Sequence, residues 1–451
     1  MNKSLLPLLG LLVAGCAGTP IAEEQAARRQ VAEVARVYRP DEAKPALPVL
    51  SDGASATDYV RFALLNHPQV EATYYDWRKA VEAITPARSL PDPQLTFQAY
   101  ITHTITSLMP GFMADFTTAG KRAAMGREAS TASEVARRQF RAAAIEVAAE
   151  VRRAWVELAY IDEVLALHHH MAAGVEQSLE IAQAEYATGG SQESLEAQTR
   201  FLNQAAEHVS DIATHTDHLS AARARFKAAL GLRREDPDPP WPAHPLPTEP
   251  LPPADALWQE VLAANPELGS MRAMVEMAVA QVDLARRART VDFTGGVSVD
   301  VKANPLLYWP TATMTLPIWR DKIAAINAAA DANRRASESR LSAKQVAMAA
   351  DLARMVAMAR QADRTIGFLE GQALPNLARA QSSAEAGYSS GRGGFAALAE
   401  LGLMQLDLRL ELAAARRDRD LARTDLAALT AEALPLGGSF AESSPLDPFR
   451  P

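Results

Sequence analysis

Polar and apolar residues alternate strictly from Gln94 to Thr106. Leu95, Phe97, Ala99, Ile101 and Ile105 fall on one face, interrupted only by His103. Gln94, Thr96, Gln98, Tyr100, Thr102 and Thr104 fall on the other. A period of two is a strand with one apolar and one polar side. A weaker alternation follows Met109-Pro110-Gly111, with Phe112, Ala114 and Phe116 against Met113, Asp115 and Thr117. The pattern predicts strands over 94–106 and 110–118, joined by a loop at the Pro-Gly pair. About 200 residues on, the pattern returns. Phe293, Gly295, Val297, Val299 and Val301 alternate with polar or small residues, and Tyr308, Pro310, Ala312, Met314 and Leu316 alternate with Thr311, Thr313 and Thr315. Strands over 293–303 and 308–317 are expected there.

Elsewhere the apolar positions follow a helical period. Residues 57–88 read as helix, nicked at Asn66-His67-Pro68. From Lys121 to Tyr186 there is no proline. One helix of that length would reach roughly 100 Å, far beyond a globular helix. A turn at 187–191 and a return helix ending near Gly231 follow. Residues 237–253 hold nine prolines, which marks a stiff linker. The second half repeats the plan, with a bend expected near Gly371 and Pro375. Pro266 answers Pro68, Arg320-Asp321-Lys322 answers Gly120-Lys121-Arg122, and Tyr388-x-x-Gly391 answers Tyr186-x-x-Gly189. The three spacings lie between 198 and 202 residues, so the chain reads as an internal duplication.

The resulting division is a signal peptide at 1–15, an anchored tether at 16–53 with a short helix over 21–37, and a first repeat at 54–233. A Pro-rich linker at 234–253, a second repeat at 254–432 and a disordered tail at 433–451 complete it. The first residues give the reason for an anchor. A short basic start at Asn2-Lys3 and an apolar run from Leu5 lead to Val13-Ala14-Gly15-Cys16. That order matches a secretory signal ending in a bacterial lipobox, with Cys16 as the lipidation site. Cys16 is the only cysteine, so it serves no internal disulfide.

Composition adds little but excludes much. A formal net charge of −8 gives no basic surface for nucleic acid. Few aromatics and abundant small and charged residues suit long helices. No later apolar run reaches the length of a spanning helix. If the strands cross a membrane instead, four are too few. An open sheet edge is not tolerated in lipid, and single-chain barrels begin at about 8 strands. The barrel would then close across subunits. Three copies would give twelve strands, with Thr96, Gln98, Thr102, Ser298, Asp300, Thr311, Thr313 and Thr315 lining a wet lumen. Leu95, Phe97, Ile101, Val297, Val299 and Leu316 would face lipid, and Tyr308 and Trp309 would sit at the interface.

Leu90-Pro91-Asp92-Pro93 before the first strand, Gly120-Lys121-Arg122 after the second, and the two Tyr-x-x-Gly turns stand in duplicated order. Together they resemble the TolC-like outer-membrane efflux proteins over about residues 55–432. The resemblance implies a mainly α fold with a small β part: a duplicated long α-hairpin barrel plus four transmembrane strands per protomer, completed as a homotrimer with a 12-stranded barrel. It implies an outer-membrane, lipid-anchored exit duct with a long periplasmic part. Its partners would be outer-membrane lipid, a periplasmic adaptor protein and an inner-membrane pump of resistance-nodulation-division type. Drugs or heavy-metal ions are the expected cargo. A type I protein secretion duct and a poreless lipid-anchored coiled-coil protein are the alternatives. Tyr186, Gly189, Gly190, Tyr388, Gly391 and Arg392 would form the tips that dock the adaptor. Gly120, Lys121, Arg122 and Pro317 would form the strand–helix junctions. Thr117-Thr118-Ala119 stands where the family often has a proline, and Glu193, Glu196 and Arg392 stand near the tips instead of gate aspartates.

No constellation for catalysis or a cofactor emerges: there is no HExxH and no glycine-rich phosphate loop after a strand. His168-His169-His170 cannot converge on one ion, because neighbours on a helix point about 100° apart. They read as a solvated face. Met271, Met274, Met277, Met348, Met355 and Met358 read as packing at helical spacing rather than as metal ligands.

Overall fold

The two Pro-nicked helix pairs, the two strand pairs and the two long helical hairpins all form. The computed structural model describes residues 20–51, 53–101, 103–187, 192–242, 246, 250–390 and 394–431. The first half runs α1 (Ala22–Tyr38), α2 (Ala56–Asn66), α3 (Pro68–Glu82), α4 (Ile84–Arg88), β1 (Gln94–Ile101), β2 (Ile105–Phe116), α5 (Ala119–Ala187) and α6 (Gln192–Ala229). The second runs α7 (Ala254–Ala264), α8 (Pro266–Arg286), β3 (Phe293–Asp300), β4 (Leu307–Met314), α9 (Arg320–Phe368), α10 (Leu374–Ser389) and α11 (Phe395–Thr430). A π-turn, Leu369–Ala373, joins α9 to α10 just before Pro375, where the bend was expected. The fold is mainly α with one small sheet. At 69 residues, α5 alone extends about 100 Å.

The duplication is structural as well as sequential. At each Pro nick an asparagine holds the end of the return helix. Asn66 Nδ2 donates to the carbonyls of Leu230 and Gly231 at 3.1 Å each. Asn265 Nδ2 donates to the Leu429 carbonyl at 2.7 Å, the same 164 residues ahead. These bonds satisfy carbonyls that a helix end leaves open. Asn265 also caps α8, accepting from the Glu267 and Leu268 amides, whereas His67 Nδ1 caps α3 by accepting from Gln69. Gly231 has φ of +72°, and a methyl group there would stand 2.7 Å from the His67 backbone. The return helix therefore ends in direct contact with the nick.

All four strands join one antiparallel sheet in the order β1-β2-β3-β4. The turn between the first two does not fall at Met109-Pro110-Gly111. β1 stops at Ile101 and β2 begins at Ile105, so Pro110 lies inside β2 opposite Phe97. The parity of the ladder explains why proline is tolerated. The Leu108 carbonyl accepts from the Val301 amide, so Leu108 and Pro110 both present their backbone groups towards β3. There the paired register ends at Gly111–Ser298, and the missing N–H of Pro110 breaks no bond to β1. β1, β3 and β4 are shorter than the alternation suggested.

The main core lies around the middle of α5. Tyr38, Tyr59, Tyr74, Trp77, Phe140, Trp155 and Phe226 bring α1, α2, α3, α5 and α6 together through edge-on and stacked rings. Arg223 and Tyr59 also hold the start of the Pro-rich linker: the guanidinium lies over Trp241 and the phenol donates to the Pro240 carbonyl. Met348 and Met355 pack into the smaller cores of the second half, as their spacing suggested.

Residues 22–38 are not a loose tether. Val34 and Tyr38 of α1 are buried in the main core, and Glu24 lies under α1 beside Arg88. Arg88 Nε donates to Glu24, Thr85 Oγ1 donates at 2.6 Å and Arg28 Nε at 3.2 Å. The Arg88 guanidinium, first among these, holds the Glu24 carboxyl down at about 2. A lowered carboxylate stabilises the fold fully above its unfolded value near 4.5, and that contribution is lost as pH falls towards 2. Glu24→Ala removes the buried carboxylate that Arg88, Thr85 and Arg28 bind, at a cost of about 3 kcal/mol. Hydrogen exchange over 22–38 should then quicken by roughly two orders of magnitude at pH 7, and the loss of protection seen in the wild type between pH 4.5 and 2 should disappear.

Candidate channel wall and helical tips

Cross-strand partners share a face, so the registers decide which residues meet. Thr96 lies beside Gly111, Ser298 and Trp309; Gln94 beside Met113, Gly296 and Thr311; Asp115 beside Thr294 and Thr313. Gln98 and Asp300 have the same parity. Thr96, Gln98, Ser298, Asp300, Thr311 and Thr313 therefore fall on one side of one sheet. Thr102 lies outside the described residues. Thr294 Oγ1 donates to Asp115 Oδ1 at 2.5 Å, and Ser107 Oγ to Asp300 Oδ2 at 2.7 Å, lacing this side together.

The opposite side carries Leu95, Phe97, Phe112, Phe116, Phe293, Val297, Tyr308 and Met314. In a water-soluble sheet such a face would be covered. Here Leu95 and Phe97 are 74 and 73% exposed. Trp309 was expected beside Tyr308 at the lipid interface, but the register places it on the polar side opposite Ser298. Adjacent strand residues cannot share a face. Trp319, 71% exposed at the N-cap of α9, is a bare aromatic that alternation could not point to, because it lies past the strand.

The glycines differ in the space around them. On the polar side, a Cβ at Gly296 would stand 2.7 Å from the Phe112 carbonyl oxygen, and one at Gly111 would stand 2.7 Å from Thr96 Oγ1 and 2.8 Å from Ser298 Cβ. On the apolar side, a Cβ at Gly295 would meet only Phe116, at an ordinary 3.6 Å. The polar side is thus the more crowded one at these positions.

The strand–helix junctions cross-link the halves. Lys121 Nζ donates to Asp292 Oδ2 at 2.5 Å, tying the start of α5 to the approach of β3. Gly120 leaves the space that Arg287 occupies: a Cβ there would lie 2.5 Å from its Nη1. Arg122 has a buried Nε with no hydrogen-bond partner among the described residues. Pro317 lies in the short connection between β4 and α9. Asp292 and Arg287 carry no motif, so only the fold reveals them.

At the far end, α5 stops at Ala187 and α6 starts at Gln192, while α10 stops at Ser389 and α11 starts at Phe395. Tyr186 and Tyr388 lie in the last turns of α5 and α10. Gly189, Gly190, Gly391 and Arg392 lie outside the described residues, as does Cys16. The two hairpins touch near their tips. Arg200 Nη1 donates to Glu400 Oε1 at 2.6 Å, and Ala399 packs on Val175 and Phe201. Further up, Arg153 pairs with Asp425 and Arg416 with Glu163, and Arg417 lies over the Tyr160 ring. His168 departs from the expected solvated face: it is buried between α5 and α6, beside His208.

No described helix is long and apolar enough to cross a membrane. No family model matches the chain, and no curated protein matches it. Solved structures do. The chain is similar to the open state of the Neisseria gonorrhoeae MtrE outer membrane channel, with a TM-score of 0.72, 16% identity, and coverage of 87% of this chain and 97% of that one. It is similar to the outer membrane protein VceC from Vibrio cholerae, with a TM-score of 0.68, 16% identity, and coverage of 83% and 96%. It is also similar to CusC, a protein described as forming a transmembrane channel, with a TM-score of 0.70, 16% identity, and coverage of 85% and 93%. Over nearly its whole described length, the chain has the fold of the TolC-like outer-membrane efflux channels.

Proposed function

We propose that the chain is the outer-membrane exit duct of a tripartite efflux system. It assembles as a homotrimer and passively conducts drugs or heavy-metal ions delivered by an inner-membrane pump of the resistance-nodulation-division type through a periplasmic adaptor. One observation carries this reading: a four-stranded sheet with a crowded polar side, as the inner side of a bent sheet would be, a bare apolar side and, among the described residues, two unpaired outer edges, on β1 and β4. Edges of that kind are not stable in hydrocarbon. Three copies close them into twelve strands and enclose a polar lumen. The fold shared with outer-membrane channels supports the same reading. Lipid attachment at Cys16 would fix the assembly to the membrane from its periplasmic side. The two helical tips are where an adaptor hairpin would dock, on glycines that permit close backbone approach.

The chain does no chemistry in this scheme. Energy enters at the pump, and the duct contributes a path and a gate. Lys121–Asp292 and Arg200–Glu400 hold the two repeats in register at opposite ends of the helices. Arg200–Glu400 is exposed, and such a pair is worth under about 1 kcal/mol. That suits a contact that must separate when the tips open.

Purified chain should run as a heat-modifiable trimer from outer-membrane fractions and should conduct ions in planar bilayers. A monomer that stays soluble without detergent would overturn the proposal. The curvature has its own test. Gly296→Ala forces a methyl group against a backbone carbonyl and should weaken the assembled barrel by about 1–3 kcal/mol, whereas Gly295→Ala should be near neutral. The temperature at which trimers dissociate in detergent reads both, and equal sensitivity of the two variants would mean that the polar side does not face inward. Gly189→Leu combined with Gly391→Leu should abolish efflux-dependent resistance while trimers persist; unaltered resistance would remove docking from the tips.

A further inference from the structure

The seam between α5 and α6 contains a feature that a conduit does not require. The hairpin packs with a seven-residue repeat: Ile161, His168 and Val175 on α5, and Phe201, His208 and His215 on α6. Val175 and Phe201 form one buried apolar layer. Two turns away, the same positions are His168 and His208, each only 6% exposed. A seam position ordinarily takes an apolar residue, because burying an unpaired polar group costs roughly 1–3 kcal/mol.

These imidazoles are not compensated by hydrogen bonds. Nδ1 of His168 and both ring nitrogens of His208 are buried without a hydrogen-bond partner. Asp211, one turn on from His208, brings Oδ2 to 3.8 Å from His168 Nδ1. His215 stacks on His168 with centroids 5.0 Å apart, and His218 lies edge-on to His215. One ligand atom from each of His168, His208 and Asp211 falls within 4.8 Å of the other two. A tetrahedral zinc ion with bonds near 2.0–2.1 Å needs its ligands about 3.4 Å apart. Small side-chain rotations close that difference.

The second repeat provides the control. At the matching level its hairpin carries Ile366, Leu369, Leu412 and Ala415, with Leu408 packed against them. The same architecture is satisfied there by an ordinary apolar layer. The histidines are therefore a local departure of the first hairpin and not a demand of the fold.

We propose that His168, His208 and Asp211 form a binding site for a divalent transition-metal ion of zinc's class within the α5–α6 hairpin, with His215 or water in the fourth position. Two imidazoles and one carboxylate are a donor set for zinc and its borderline neighbours rather than for calcium or magnesium. An ion there would pin α5 to α6 between the main core and the tip. It would stiffen one of the two hairpins that the tip must move. The site does not depend on cargo, and it stands whether or not the chain is a duct.

The test uses the full-length protein in detergent, stripped with chelator, equilibrated with zinc chloride and desalted. Elemental analysis should find about one tightly held zinc per chain, and zinc should raise the heat-denaturation temperature. His169→Ala with His170→Ala should keep that zinc, because those neighbours point away from the seam. His168→Leu with His208→Leu restores an apolar layer. It should fold, retain no zinc and lose the response of its melting temperature to zinc. Asp211→Asn should weaken binding at least about tenfold and abolish the tetrahedral cobalt(II) absorption that the wild type should show. Zinc retained equally by the wild type and the leucine double variant, or no zinc retained by the wild type, would overturn the site.

Discussion

A backbone hydrogen bond cannot be left unmade in hydrocarbon, and in the proposed duct that constraint organises the whole molecule. One chain supplies four strands that pair in the order β1-β2-β3-β4 and leave the outer edges on β1 and β4 without a partner strand among the described residues. Duplication doubles the strand count without lengthening any loop, and it brings two helical hairpins with the two strand pairs. The long helices follow from the same duplication. Each strand pair runs within a few residues into α5 or α9. The junction salt bridge Lys121–Asp292 sits where that hand-over happens and links the two halves.

The faces of the sheet were legible because they depend on a period of two, which survives any error in strand ends. The hairpin position was not. Pro110-Gly111 is a strong local turn signal, yet its missing N–H points to the one side where the ladder to β3 has ended. The true turn, between Ile101 and Ile105, contains neither glycine nor proline. Trp309 was misplaced for a related reason: its neighbour Tyr308 cannot share its face, and aromatic content alone does not choose between them. The short helix expected over 21–37 forms, but its docking on the main core was not legible, because Glu24 and Tyr38 find partners more than thirty residues away, which local pattern does not disclose.

His168 illustrates a different limit. Considered with its own neighbours, it is one of three adjacent histidines that cannot converge. Considered across the hairpin, it lies 19 residues before the end of α5, and His208 lies 16 residues after the start of α6. Folding the sequence about the tip brings them together, with His215 stacked on His168 and Val175 packed on Phe201. The information was in the spacing, but only pairing two helices extracts it.

The two repeats differ most at this level, and the difference has a mechanical reading. The spacing between matching landmarks is 200 residues at the strand–helix junctions and 202 at the tips. The second repeat must therefore absorb extra chain along its long helix. A π-turn is the usual way for a helix to take an added residue without breaking. Leu369–Ala373 does so, next to Pro375, whose missing N–H already loosens the ladder there. α5 runs through the corresponding stretch as unbroken helix and carries the buried histidines instead. One hairpin thus has a built-in point of compliance where the other has a cluster of ligands poised to lock its strands of helix together. Opening at the tips then need not be shared equally by the two hairpins: the one with the π-turn can bend, while the one with the histidine layer moves as a unit.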